Sequence, residues 1–243
     1  MNLTDTITQL HIEAAIKVPA CPEALEWLSD PHTYQELLDD HLDWFIWCVD
    51  RLDVTASIHL HSGITSLEFP SLTSAEGLTI PASVTSLNLS ALTSVKGLVL
   101  PDGVTTLYLL SLTSAEGLTI PAGVREVYLS SLTSAKGLTL PDSVTSLNLR
   151  SLTSVKGLVL PDGVREVNLS SLTSAEGLTI PDSVTYLSLS SLTSAEGLTI
   201  PDSVTYLSLR SLTSAEGLAI PASVTRLYVS ATVKEGLNKS KCN

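Results

Sequence analysis

The sequence has few of the large side chains that usually fill a globular core. Its 243 residues include two Phe, three Trp and one Met, and aromatic residues make up 5% of the chain. Leu, Ser and Thr dominate instead, and the 44% of apolar residues is enough to bury a core. No run of about 18 apolar residues occurs, so we expect no transmembrane helix. The first ten residues have neither a basic nor an apolar signal region, so no secretory signal is predicted.

Cysteine and histidine are also scarce. The three cysteines, Cys21, Cys48 and Cys242, form no disulfide framework, which favours a reducing, cytoplasmic compartment. The five histidines show neither the His-Glu-x-x-His motif nor a zinc-like spacing with cysteine. No Gly-rich phosphate loop occurs, and no acid, base and nucleophile come together in one motif. We therefore predict a protein that is not an enzyme and that uses no cofactor and no metal.

Basic residues are few, because the chain has 13 Lys and Arg against 25 Asp and Glu, a net charge of −12. The deficit is concentrated at the start, where residues 1–57 contain 11 acidic and two basic residues. Such a balance disfavours nucleic acid and anionic membranes as partners and is compatible with a basic protein partner. The alternative is that the charge serves solubility alone.

Three regions follow one another along the chain. Residues 1–57 are predicted to form a helical N-terminal cap, with a helix beginning at Pro22, a capping-box spacing from Thr33 to Glu36 and a helix over 41–52. Residues 4–16 fit helix and strand equally. Residues 58–230 are repetitive, and residues 231–243 are predicted to be a C-terminal cap or tail that resembles a decayed repeat fragment. The three Trp of the first region are expected to plug the end of the repeats, with an aromatic docking site as the alternative.

The repetitive region is one half unit, 58–70, followed by eight tandem units of 20 residues that begin at 71 and end at 230. Seven positions of each unit are apolar, and two stretches, Leu178–Ile180 and Leu187–Leu189 in the unit 171–190, alternate like short strands. Gly177 and Pro181 recur in every unit and suit corners. Thr173 and Ser174 recur as well and are expected to hydrogen bond along a buried turn. One unit cannot bury seven apolar side chains, so the units must stack as a parallel solenoid.

The segment Ile180–Leu189 resembles the short bacterial class of leucine-rich repeats, whose pattern is L-P-x-x-L-x-x-L-x-L/V. The resemblance implies right-handed coils of stacked parallel strands, and a main, often concave, binding face along the L-x-L strand. The usual Asn or Cys three residues after the second strand leucine is Leu192 here, so a straighter β-solenoid stays open. A helical cap before such repeats is similar to that of effectors injected into host cells. Secretion by a signal-peptide-independent route is therefore the alternative to the cytoplasm.

Comparison of the units with one another locates a candidate binding surface. The core and corner positions are nearly constant, whereas the outward positions of the second strand vary and carry five of the six Tyr. Tyr and Arg are enriched in interface hot spots, so we predict a protein-binding face here. Its candidate residues are Ser86, Asn88, Thr106, Tyr108, Arg125, Glu126, Tyr128, Asn148, Arg150, Arg165, Glu166, Asn168, Tyr186, Tyr206, Arg210, Arg226 and Tyr228.

The predicted function is thus a non-enzymatic protein–protein interaction module with an unidentified protein partner. Two alternatives stay open. The chain is a structural or surface spacer, or it is a solenoid that binds glycans or, through a Thr array, ice. A second outward column alternates Glu76, Lys96, Glu116 and Lys136 and continues to Glu216, where we expect neighbouring opposite charges to pair.

Overall fold

The computed structural model describes residues 22–27, 30, 36–37, 44, 58–59, 64–76, 78–214 and 216–240. The elements within these residues are two helices and eleven short strands. The helices are α1 (Pro22–Trp27) and α2 (Ala231–Ser240). The strands are β1 (Ile58–His59), β2 (Ser66–Glu68), β3 (Leu78–Thr79), β4 (Ser86–Asn88), β5 (Thr106–Tyr108), β6 (Glu126–Tyr128), β7 (Ser146–Asn148), β8 (Glu166–Asn168), β9 (Tyr186–Ser188), β10 (Tyr206–Leu209) and β11 (Arg226–Val229).

One long parallel sheet runs the length of the repeats. It contains β2 and then β4 to β11 in chain order, and each residue lies opposite the residue 20 positions further on. Leu187, for example, lies opposite both Val167 and Leu207. Each 20-residue unit is therefore one coil of a solenoid, as the sequence predicts. The half unit keeps the same register, because β1 pairs with β3 through Ile58 and Leu78.

The solenoid interior consists of stacked columns of aliphatic side chains, with the aromatic ring of Phe69 buried among them in the half unit. In the coil 171–190, Leu172, Val184, Leu187 and Leu189 are fully buried, and their equivalents stack above and below them. The Leu172 position, where the short leucine-rich repeats usually carry Asn, is buried in all eight coils. An apolar ladder thus fills the place of the hydrogen-bonded Asn ladder.

The corner glycine behaves as predicted, and the strand before the proline does not. Seven of the eight corner glycines are described, and all have φ between +72° and +82°, which favours glycine over any L side chain. The stretch Leu178–Ile180 was expected to be a strand, and this expectation is wrong. Among the described residues, strands at the equivalent position are found only at the start of the solenoid, where β1 pairs with β3. The Leu178 N–H already closes a turn onto Ala175, and Pro181 has no N–H, so few donors are left for a ladder.

The Thr-Ser turn lies outside the core, which corrects the expectation of a buried turn. Both side chains are exposed in the coil that contains Thr173 and Ser174. The Ser174 hydroxyl accepts a hydrogen bond from the Glu176 N–H at 3.2 Å, and the same bond forms in all eight coils. The hydroxyl therefore closes a local turn at the surface.

Three described residues of the N-terminal region, Trp27, Leu37 and Trp44, belong to or pack against the hydrophobic core. Helix α1 begins at Pro22, as predicted. Trp27 and Trp44 meet edge to face with ring centroids 6.4 Å apart, and both are half-buried against the core. Leu37 is buried in the same apolar cluster as the solenoid leucines. Most of the predicted 41–52 helix, Thr33 of the capping box, residues 4–16 and the three cysteines lie outside the described residues.

The last region is a helix and not the decayed repeat fragment that its sequence suggests. Ser230 caps α2, because its hydroxyl accepts the Val233 N–H at 3.4 Å while donating to the Leu212 carbonyl at 2.6 Å. Val233 is 1% exposed and joins the core cluster. Leu227 of the last coil still has 37% of its surface exposed. No helix among the described residues has the length and apolar character to cross a membrane.

Candidate functional site

The variable residues of the units lie together along one side of the solenoid. We call this side the variable strand face and define it as four columns, beginning at Thr85, Ser86, Asn88 and Ser90 and repeating every 20 residues. In β4 to β8 the middle residue of the strand is buried and its two neighbours are partly or fully exposed. The coils are joined here by backbone hydrogen bonds, such as Thr105 N–H to the Thr85 carbonyl at 2.8 Å. Outward side chains on this face are therefore free to vary.

Two tyrosines form a stack near the start of the face. Tyr108 and Tyr128 lie on neighbouring coils, with ring centroids 4.5 Å apart and planes 7° from parallel. The Tyr128 hydroxyl donates to the Glu126 carboxylate at 3.2 Å. Partial burial, and then the charge of Glu126, raise the pKa of Tyr128 above its ordinary value. This phenol therefore stays protonated and able to donate at neutral pH.

A second aromatic group occupies the last three coils. Tyr186 and Tyr206 stack with ring centroids 4.2 Å apart. The Tyr228 ring is tilted against that of Tyr206, and their centroids are 5.3 Å apart. The Arg210 guanidinium lies 4.8 Å from the centre of the Tyr228 ring, within cation–π distance. Burial raises the pKa of Tyr186. Two coils lie between this group and the first stack, so the groups are three coil spacings apart, roughly 14 Å at the usual strand spacing.

The asparagines of the candidate set have a local structural role. The Asn88 side-chain oxygen accepts both the Ser90 N–H at 3.1 Å and the Ser90 hydroxyl at 2.5 Å. Asn148 and Asn168 form the same turn with the residue two positions later. These side chains fold back on their own strand ends, so their oxygens are already occupied.

Two serines that the sequence pattern places outward are in fact buried. Ser188 and Ser208 are 5% and 2% exposed. Their hydroxyls lie in a chain of hydroxyl groups, with Ser170 2.9 Å from Ser188 and Ser190 2.9 Å from Ser208. Sequence alternation assigns a side chain to a face but cannot show that a short side chain will be covered by larger neighbours.

The charged and small candidates line the same face. Arg125 and Arg165 lie in the first column of the face, which is its leading edge. Arg150 and Arg210 lie in the fourth column, which is its trailing edge, and all four side chains are exposed. Arg226 is exposed on the last coil. The remaining candidates occupy the column between the leading edge and the buried strand residues. They are Ser86, Thr106, Glu126 and Glu166, of which Glu166 accepts a hydrogen bond from the Ser146 hydroxyl at 3.2 Å.

The second outward column confirms part of the predicted charge pairing. The Lys96 Nζ atom lies 2.6 Å from Glu76 Oε1, and the Lys136 Nζ atom lies 2.7 Å from Glu116 Oε1. A hydrogen bond to Lys136, together with its charge, lowers the pKa of Glu116. Further along, a groove of about 690 Å³ separates the corners at Gly157 and Gly177. The coils are in closer contact at the paired corners, since a Cβ on Gly97 would lie 3.1 Å from the Glu76 Cα.

Ser174 is identical in all eight units although its side chain is exposed. The bond from the Glu176 N–H to the Ser174 hydroxyl gives that constancy a structural cause. The support for a binding face therefore lies in the aromatic groups and the arginines themselves.

The solved structures that this chain resembles are leucine-rich repeat proteins. YopM from Yersinia enterocolitica matches with a TM-score of 0.59 and 22% identity over 72% of this chain. This chain has the leucine-rich repeat fold. A leucine-rich repeat protein from Bacteroides ovatus matches over 68% of the chain at 18% identity and a TM-score of 0.39, and the circular leucine-rich repeat protein CroV588 matches over 70% at 18% identity and 0.40.

The matches cover only part of those proteins. The aligned part spans 39% of the YopM chain, 49% of the Bacteroides chain and 32% of CroV588. No protein-family model matches the sequence. The comparison with curated proteins also found no match. The likeness therefore establishes the fold.

Proposed function

We propose that this chain is a non-enzymatic module that binds a protein partner through the variable strand face. The observation that carries the proposal is the placement of five tyrosines and five arginines on one side of an otherwise uniform solenoid. Tyr and Arg supply large contact areas with polar ends, and they dominate the energetics of many interfaces. Leucine-rich repeat solenoids generally mediate protein–protein contacts, which supports the same conclusion.

The stacked tyrosines suit a binding platform because they are already ordered. Each ring in a stack restricts its neighbour, so less side-chain entropy is lost when a partner binds. Tyr228 remains 40% exposed, and the other four are half-buried, so ring edges and hydroxyls remain accessible. The backbone ladder beneath them holds the rings in register without help from outward side chains.

The alternative of an ice-binding Thr array has weaker support. Thr119, Thr179 and their equivalents are exposed in one column, but Val99 and Val159 interrupt it with 74% and 78% of their surfaces exposed. The backbone beneath these residues is not a strand in the coils that follow β3. A regular flat array of hydroxyl groups is therefore not provided by this column.

A quadruple variant tests the proposed function. Tyr108, Tyr128, Tyr186 and Tyr206 are replaced by Ser, and the purified variant is compared with wild type in pull-down from the cells that produce the protein and from candidate target cells. The matched control replaces Thr119, Thr139, Thr179 and Thr199 by Ser. We expect the control to retain the wild-type partner and the Tyr variant to lose it while keeping its circular dichroism spectrum. Recovery of the same partner by the Tyr variant would remove the proposal.

The proposed setting is a bacterial cell, with the cytoplasm as the location and signal-peptide-independent release as an effector as the alternative. Fractionation of the producing cells and their medium distinguishes the two. Protein that stays with the cytoplasmic fraction supports the first, and intact protein in the medium without lysis supports the second.

A further inference from the structure

The arginines of this acidic chain are concentrated on the variable strand face. The whole chain has a net charge of −12 and contains six Arg, of which five belong to the columns of this face and the sixth, Arg51, is outside the described residues. The face itself carries the other five Arg and two Glu, a net charge of +3. Glu68 on β2 adds one negative charge at its N-terminal edge. The face is therefore a positive strip on a negative molecule.

These arginines have no carboxylate partner within the described part of the chain. The ion pairs found there join Lys96 to Glu76 and Lys136 to Glu116, and neither involves Arg. The two glutamates on the face are hydrogen bonded to hydroxyl groups instead, Glu126 to Tyr128 and Glu166 to Ser146. The guanidinium groups thus retain their N–H donors, which match a carboxylate in a bidentate geometry.

The spacing of the arginines suits an extended ligand. Arg125 and Arg165 are two coils apart, roughly 10 Å, on one edge of the face, and Arg150 and Arg210 are three coils apart, roughly 14 Å, on the other edge. The five coil spacings from Arg125 to Arg226 span roughly 24 Å, the length of about seven extended residues. The tyrosine groups lie between the two Arg edges.

We infer that the face binds an extended acidic segment of a partner protein, with Asp or Glu side chains paired to these arginines. A nucleic acid fits less well, because each stacked tyrosine presents one of its ring faces to its neighbour and not to a base.

This inference rests on the proposed function and replaces a basic partner with an acidic one for this face. The net charge of the whole chain, −12, suits a basic ligand, whereas the net charge of the face, +3, suits an acidic one. The local distribution of charge decides instead, because interactions beyond about 10 Å are screened at physiological salt.

The test uses the full-length protein and a fluorescein-labelled peptide, (Asp-Gly)5, with (Asn-Gly)5 as the uncharged control and a ten-base oligo-dT as the nucleic acid. The binding variant is Arg125→Gln with Arg150→Gln, Arg165→Gln and Arg210→Gln. The control variant is Lys156→Gln with Lys234→Gln, two cations outside the face. Affinity is measured by fluorescence polarisation at about 50 mM and about 300 mM salt, since charge pairing weakens as salt rises.

We expect (Asp-Gly)5 to bind wild type and the Lys variant equally, to lose about tenfold or more in affinity with the Arg variant, and to weaken with salt. Equal binding of (Asn-Gly)5, no binding of (Asp-Gly)5, or an unchanged Arg variant would overturn the inference. Tighter, Arg-dependent binding of oligo-dT would overturn it in favour of nucleic acid. A partner that is lost with the Tyr variant but kept with the Arg variant would leave the proposed function intact and reject the acidic segment.

Discussion

The two sides of each coil hold together by different means, and this difference explains which residues vary. On the strand side, backbone groups of neighbouring coils bond directly, as in Leu129 N–H to the Asn148 carbonyl at 2.9 Å. On the corner side, side chains and a left-handed glycine close each turn, as in Ser174 and Gly177. Backbone hydrogen bonds between coils form whatever the outward side chain is, whereas a turn that a side chain closes requires that particular side chain. The strand side can therefore diversify while the corner side stays constant.

The largest contrast should appear when one leucine is shortened on each side of the same coil. Leu187 is fully buried beneath the strand face, and Leu178 is half-buried near the corner. We expect Leu187→Ala to lower the free energy of unfolding by about 2–5 kcal/mol, and Leu178→Ala by roughly half of that. Urea unfolding followed by circular dichroism measures both. Equal losses would show that the two sides are packed equally well.

The corner glycines allow a comparison between two corners that are packed differently. Gly97 and Gly177 both have a left-handed backbone, so alanine at either position costs about 1–2 kcal/mol. A Cβ on Gly97 would also lie 3.1 Å from the Glu76 Cα, whereas a Cβ on Gly177 meets nothing within 4 Å. We therefore expect Gly97→Ala to lower the thermal midpoint more than Gly177→Ala. The reverse order would contradict the difference in corner packing.

The turn serine should matter more than an outward strand serine. Ser174→Ala removes the acceptor of the Glu176 N–H, a loss of about 0.5–1.5 kcal/mol. Ser146→Ala removes side-chain hydrogen bonds to Glu166 and Tyr128 on the outward face and no bond that closes a backbone turn, so we expect a smaller change. Chemical denaturation of both variants provides the check. A larger loss of unfolding free energy for Ser146→Ala than for Ser174→Ala would contradict the distinction between the strand side and the corner side.

The smallest effect concerns the exposed ion pair on the charged column. Lys136 lowers the pKa of Glu116, so this pair's contribution to stability is present above the unfolded-state pKa of Glu116. It is lost as the pH falls through the lower pKa of the folded state. We expect Lys136→Gln to raise the Glu116 pKa toward its ordinary value in a carboxyl NMR titration. An unchanged pKa would indicate that the pair does not persist in solution.

Much of the fold is predictable because it is set by repetition. Seven apolar positions every 20 residues demand stacking, and the recurring Gly177 position demands a corner with positive φ, which is what the structure has. The strand at Leu187 follows from its alternation, although the observed strand begins one residue earlier at Tyr186. Each of these features depends on the pattern of one unit and its copies.

The features that were missed depend on which hydrogen bonds are available. The alternation of Leu178–Ile180 resembles a strand, but the turn at Ala175 and the proline at 181 leave too few N–H donors. Helix α2 depends on one capping residue, Ser230, in a segment that resembles the preceding repeats. The tyrosine face could be found from the units alone, whereas the Asn turns and the burial of Ser188 required coordinates.

The central claim is that the partner touches the strand face and not the corner side. A photo-crosslinking phenylalanine analogue placed at Tyr128 or Tyr206 tests it directly against the same analogue placed at Val159, which is 78% exposed near the corner. We predict that the partner retained by wild type in pull-down crosslinks from positions 128 and 206 and not from 159. Crosslinking from 159 without crosslinking from 128 and 206 would contradict the account.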